Sequence, residues 1–131
     1  MATTDLPGSM RQIRYAGSGG PEVISLETAP VPSPGPGQVL IEVVAAGVNR
    51  PDVAQRSGVY PPPPGATEIP GLEVAGRVVA LGSGVDNLTE RDEVCALVIS
   101  GGYAEYAVAE AAHCLPRPKA VALVDAGGLP E

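Results

Sequence analysis

Gln38-Val39-Leu40-Ile41-Glu42-Val43-Val44-Ala45-Ala46-Gly47-Val48 is the stretch on which the fold turns. It is rich in β-branched residues, and alternation puts Val39, Ile41, Val43 and Ala45 on one face with Glu42 on the other. This is the clearest strand in the chain. On its N-terminal side, Ala29 to Gln38 carries four prolines and two glycines and reads as a stiff loop. Further out, Met10–Ala16 and Val23–Leu26 read as two strands joined by the turn Gly17-Ser18-Gly19-Gly20-Pro21.

On its C-terminal side the strand closes at Gly47-Val48-Asn49, and residues 50–57 read as a short helix. Pro51 suits the first turn, where its missing N–H would find no partner anyway. Asp52 favours the positive end of the helix dipole and has Arg56 four residues on, a favourable i,i+4 order. Gly58 is a natural stop. Tyr60 then precedes four prolines, Pro61 to Pro64, which hold an extended polyproline shape. Strands are expected at Gly71–Gly82, Glu93–Ile99, Tyr103–Val108 and His113–Leu115, and a helix start within Ala120–Gly128. Six or seven short strands with Gly/Pro punctuation predict a small, partly open β-barrel, with a two-layer sandwich as the alternative.

Composition supports one globular domain. The 131 residues are 44% hydrophobic and 3% aromatic, with no Phe or Trp, so the core must be built from Val, Ala, Leu and Ile. The net charge is −7 and the eight Lys and Arg are scattered, which excludes a basic stripe for nucleic acid. No apolar run approaches the ~20 residues of a membrane helix. Residues 1–9 show no signal-peptide pattern and read as a flexible leader before a second potential start at Met10. Two cysteines and no export signal point to a reducing cytoplasm.

Several chemical sites can be tested against the residues. Gly17–Gly20 and Gly82-Ser83-Gly84 lack the following helix that a dinucleotide loop needs, so both read as hairpin turns. Cys95, His113 and Cys114 are the only candidates for a metal; the last two are adjacent and face opposite ways on a strand, so no metal site is expected. A hydrolase triad would rest on His113 alone, without a nucleophile elbow. Asn49 and Tyr60 stand apart. They flank a capped helix on a rigid scaffold, and offer an amide and a phenol that can donate to a carbonyl oxygen. From the residues alone, Asn49 serving local backbone and Tyr60 packing on proline rings is an equal reading.

The run Asn49-Arg50-Pro51-Asp52-Val53-Ala54-Gln55-Arg56-Ser57-Gly58-Val59-Tyr60-Pro61-Pro62-Pro63 resembles the zinc-independent quinone oxidoreductase branch of the medium-chain dehydrogenase/reductases, the zeta-crystallin-like, stress-inducible subgroup. Gly19-Gly20-Pro21-Glu22-Val23, Pro36-Gly37-Gln38-Val39-Leu40, Pro70-Gly71-Leu72-Glu73-Val74-Ala75-Gly76, Cys95-Ala96-Leu97 and Gly101-Gly102-Tyr103-Ala104-Glu105-Tyr106 extend it over residues 10–131. The resemblance implies a GroES-like barrel over 10–131 as the catalytic domain, ending before a Rossmann domain. It implies hydride transfer from NADPH to a quinone or enone, with Asn49 and Tyr60 beside nicotinamide and substrate, and Arg50 and Asp52 as structural support. Zinc alcohol dehydrogenases similar to this scaffold have a cysteine where Asn49 stands and a histidine where Leu72 stands, so the resemblance implies no zinc. A homo-oligomer, or association with a cofactor-binding partner, is compatible with it; a non-catalytic GroES-like assembly module or an inert remnant is the alternative. Two departures stand out. Arg91 occupies a turn position where relatives have Gly, and Gly127 and Gly128 replace alanines near a helix start.

Overall fold

The computed structural model describes residues 6–131. Its strands are β1 (Ser9–Tyr15), β2 (Ile24–Pro30), β3 (Gln38–Ala46), β4 (Glu73–Leu81), β5 (Glu93–Leu97), β6 (Tyr106–Glu110) and β7 (Cys114–Pro116), with helices α1 (Arg50–Ser57) and α2 (Leu123–Ala126). β1 and β2 form an antiparallel hairpin, and the other five form a sheet of order β6-β3-β4-β5-β7. The hairpin is stitched to the sheet at the segment before β6. Ile13 N–H donates to the Tyr103 carbonyl at 2.8 Å and Glu105 N–H to the Arg11 carbonyl at 3.1 Å. Together they make a small, partly open barrel, as the turn-rich pattern predicts. The leader expected over residues 1–9 falls partly outside the described residues; within them, Leu6 packs against buried Met10, Leu40 and Tyr106.

β3 is central, and its burial explains the barrel. Val39 and Ile41 enter the principal core with Val74, Val78, Val94, Ala107 and Ala109. Leu40 points the other way into a smaller cluster with Met10, Val79, Ala80 and Tyr106. Three consecutive fully buried residues need apolar cover on both faces, and the β1–β2 hairpin helps supply the second. The strict alternation expected along β3 breaks at a register shift between Val43 and Ala45. A bulge of this kind inverts the facing of everything beyond it. Ala46 rather than Ala45 therefore packs on the principal core, and Ala45 meets Gly127 after α2.

Other boundaries shift for identifiable reasons. β6 begins at Tyr106 instead of Tyr103, because Tyr103 to Glu105 exchange backbone hydrogen bonds with β1. β5 ends at Leu97, short of Ile99. His113 lies in a single 3-10 turn, and the last strand starts at Cys114. α2 holds four residues, and its end abuts Ala45 so closely that a methyl group at Gly127 would lie 3.0 Å from the Ala45 Cβ. Arg91 adopts φ 77°, the only positive φ of a non-glycine among the described residues, as expected for a turn that favours glycine.

Candidate functional site

α1 spans residues 50–57 as predicted, and both its ends are fastened. Asn49 is the N-cap, and Asp52 at the third helical position closes a capping box, its Oδ2 accepting the Asn49 N–H at 2.9 Å. At the other end Gly58 takes the left-handed conformation at φ 89° and turns its N–H back to the Ala54 and Gln55 carbonyls. The first glycine turn has a role here that its sequence did not reveal. Gly19 N–H donates to the Arg56 carbonyl at 2.9 Å, and Arg56 Nε returns a bond to the Gly19 carbonyl at 3.2 Å. Arg56 is thus engaged with the β1–β2 turn, and the expected Asp52–Arg56 ion pair does not form. Burial is the reason: Asp52 is 3% exposed and its Oδ2 is taken by Asn49 and Tyr103.

A polar cluster surrounds the start of α1. Asp52 Oδ2 also accepts the Tyr103 hydroxyl at 2.5 Å, and the Asp52 carbonyl accepts the Tyr15 hydroxyl at 3.1 Å. Glu73, at the head of β4, is the second buried carboxylate, also 3% exposed. Its Oε1 accepts Asn49 Nδ2–H at 2.9 Å and its Oε2 accepts the backbone N–H of Glu131 at 2.7 Å. Among the described residues neither carboxylate has an ion-pair partner. Asp52 Oδ1 is buried and has no hydrogen-bond partner among the described residues. A buried acceptor left open costs about 1–3 kcal/mol, so a donor at this atom would be favoured. Burial, reinforced by the bond to Asp52, pushes the Tyr103 phenol far above its usual pKa and keeps it a donor. Tyr15 is raised for the same first reason, with the Asp52 charge adding to it.

Sequence reasoning singled out Asn49 and Tyr60, and the structure places them at opposite ends of α1. Eight helical residues separate their backbones by about 12 Å along the axis. Asn49 is half-buried within the polar cluster. Tyr60 lies outside the barrel, 47% exposed, and its phenol has no hydrogen-bond partner among the described residues. Arg50 is exposed at the first position of α1. Glu73 and Tyr103 were missed as members of the cluster. The available signal was an acid heading the strand 73–81, whose other residues are apolar except Arg77.

Two hollows border these elements. One, of about 650 Å³, lies between residues 63–67 and the strands, with Met10, Gln12, Ile99, Tyr106 and His113 in its wall; neither Asn49 nor Tyr60 lines it. The other, of about 390 Å³, runs over Ile13, Val44 and Tyr103, the last of which belongs to the polar cluster. Cys95 packs with Ala75 and Ala126, whereas Cys114 sits in the principal core, so the two thiols occupy different clusters. No group of three or more His, Cys, Asp or Glu that could hold a metal occurs among the described residues.

An open antiparallel barrel, with an Asn-capped helix following its central strand, defines a GroES-like domain. The alcohol dehydrogenase GroES-like domain family matches residues 35–119, and the chain belongs to that family. It is 47% identical over 102 residues to the quinone oxidoreductase of Lama guanicoe, covering 76% of this chain and 31% of that protein. It is 42% identical over 112 residues to the quinone oxidoreductase of Rattus norvegicus, covering 84% and 34% respectively. Among solved structures, the quinone oxidoreductase from Coxiella burnetii superposes with a TM-score of 0.83 at 27% identity, over 91% of this chain and 40% of that one. The chain spans about a third of the length of these curated relatives. No helix among the described residues is long and apolar enough to cross a membrane.

Proposed function

We propose that this chain is the acceptor-side domain of an NAD(P)H-dependent quinone or enone reductase, with residues 10–131 as the GroES-like unit and the dinucleotide-binding fold supplied from outside it. The observation that carries this reading is the unengaged, half-exposed phenol of Tyr60 on the loop that leaves α1. A buried tyrosine would have found a partner. One held outward on a proline-stiffened loop is poised to donate to a ligand oxygen.

A reduced nicotinamide, when bound, supplies the hydride. The chain's own contribution is binding and electrostatic. Tyr60 would donate a hydrogen bond to the acceptor carbonyl as negative charge develops on its oxygen. Asn49, its amide held by Glu73, would contact the nicotinamide or the acceptor with its remaining hydrogen-bonding capacity. Neither glycine turn opens onto a helix longer than three residues, so neither turn is built as a seat for pyrophosphate. Asn49 and Leu72 fit a zinc-free reading, since neither is a metal-ligating side chain.

The test is an NMR titration of the chain with a tetrasubstituted quinone, which cannot add thiols. Shift changes centred on residues 49–63 and reduced in Tyr60→Phe are expected. An undisturbed 49–63 segment at saturating quinone defeats the reading. A parallel assay with NADPH is expected to show no turnover above background; robust oxidation by this chain alone would overturn the claim that the dinucleotide fold comes from elsewhere.

A further inference from the structure

The Glu73 carboxylate has two oxygens and two quite different clients. Oε1 holds the side chain of Asn49 at the head of α1, and Oε2 holds the backbone of Glu131, past α2. These clients are 82 residues apart in the chain, and each bond is of good length, 2.9 and 2.7 Å. The carboxylate is closely flanked on the β3 side. A methyl group on Gly47 would overlap its Oε1, so only glycine at 47 lets β3 pass this close, and Gly47 N–H donates to the Glu73 carbonyl at 3.3 Å. Asn49 is in turn tied through its own N–H to Asp52, and Asp52 to Tyr103.

From this we infer that Glu73 is a positioning residue that couples the segment following α2 to the Asn49 amide, so that docking or displacement around residue 131 changes how Asn49 is presented. The inference rests on the reading of Asn49 as a ligand-contacting group, and supplies the regulation of that site. A carboxylate suits the task because it is acceptor-only and accepts two donors at once, one on each oxygen. A glutamine would turn its NH₂, a donor, toward one of the two donors, since they approach different oxygens. When Oε2 is engaged by residue 131 the carboxylate is held square to Asn49; released, it is free to rotate about its terminal torsion, which is soft.

The test uses the full chain labelled with ¹⁵N and needs no ligand, so it succeeds or fails independently of quinone binding. Glu131→Pro removes the N–H at a chain position beyond α2, and Glu131→Ala, which keeps that N–H, controls for the loss of the side chain. The Asn49 side-chain NH₂ resonances are expected to shift and their exchange with solvent to quicken, by no more than the roughly tenfold that outright loss of the Asn49–Glu73 bond would give. Glu73→Gln is expected to reproduce the change at Asn49 or to release residue 131, since its NH₂ replaces one of the two accepting oxygens. Gly47→Ala, which displaces the carboxylate from the other side, is expected to perturb the backbone N–H of residue 131. Asn49 resonances and exchange that stay at wild-type values in Glu131→Pro would overturn the coupling, as would retention of both bonds in Glu73→Gln.

Discussion

At the scale of single residues, Asp52 carries more than its position in a helix suggests. Its Oδ2 satisfies two donors, from Asn49 and Tyr103, while Oδ1 stays open in the interior. Asp52→Ala leaves a buried phenol and a helix-initiating N–H without an acceptor. Removing an N-cap partner and stranding a buried donor each cost about 1–2 kcal/mol, so chemical denaturation should show a loss of about 2–4 kcal/mol. Arg91 is the opposite case. Its φ of 77° costs an L-residue about 1–2 kcal/mol, and the greater unfolded-state freedom of glycine takes back about 0.5–1 kcal/mol. Arg91→Gly should therefore stabilise by about 0.5–1 kcal/mol in the same experiment; destabilisation would show that the side chain contributes something the backbone strain conceals.

Among the elements, α1 is the part whose sequence and structure agree most closely. Asn49, Pro51, Asp52 and Gly58 are short-range signals, each acting within four residues, and the helix they delimit is the one observed. Gly58→Ala forces an alanine to φ 89° and places its methyl 2.6 Å from Ser18 Oγ, so both strain and crowding oppose it. A loss of about 1–2 kcal/mol is expected, read as a lower unfolding midpoint. β3 agrees less well. Its pattern correctly marks a strand, but the register shift after Val43 arises from pairing with β4, and nothing in the run Val43-Val44-Ala45-Ala46 announces it. The Asp52–Arg56 pair fails for a related reason: i,i+4 spacing says which side chains are neighbours on a helix, not which of them the rest of the molecule will bury.

For the whole molecule, three of the four tyrosines, Tyr15, Tyr103 and Tyr106, are held above the ordinary phenol pKa, in each case first by burial. The unfolded chain would release these protons near pH 10 while the folded protein retains them. The unfolded state then binds fewer protons than the native one, so stability falls as pH rises above about 10 and is unaffected by these groups below it. Thermal unfolding followed from pH 8 to 11 should show that decline, and Tyr103→Phe should flatten part of it; an unchanged slope would mean Tyr103 ionises freely. Both thiols are buried and raised too, Cys114 to about 11, again by burial. They should resist alkylation at pH 8 in the native protein and react at once in denaturant.

Local order was written into the chain in legible form. The strand at 38–46, the helix at 50–57, the stop at Gly58, the strained turn at Arg91 and the Asn49–Tyr60 loop all follow from preferences acting over a few residues. The cluster built around them was not legible, because its members come from β1, α1, β4, the segment before β6 and the chain beyond α2. Which carboxylate is buried, which donor it accepts and which arginine is left for the glycine turn are settled by long-range packing in a water-poor interior. There most polar atoms take whatever partner the fold brings within hydrogen-bonding distance, and Asp52 Oδ1 is the exception among the described residues.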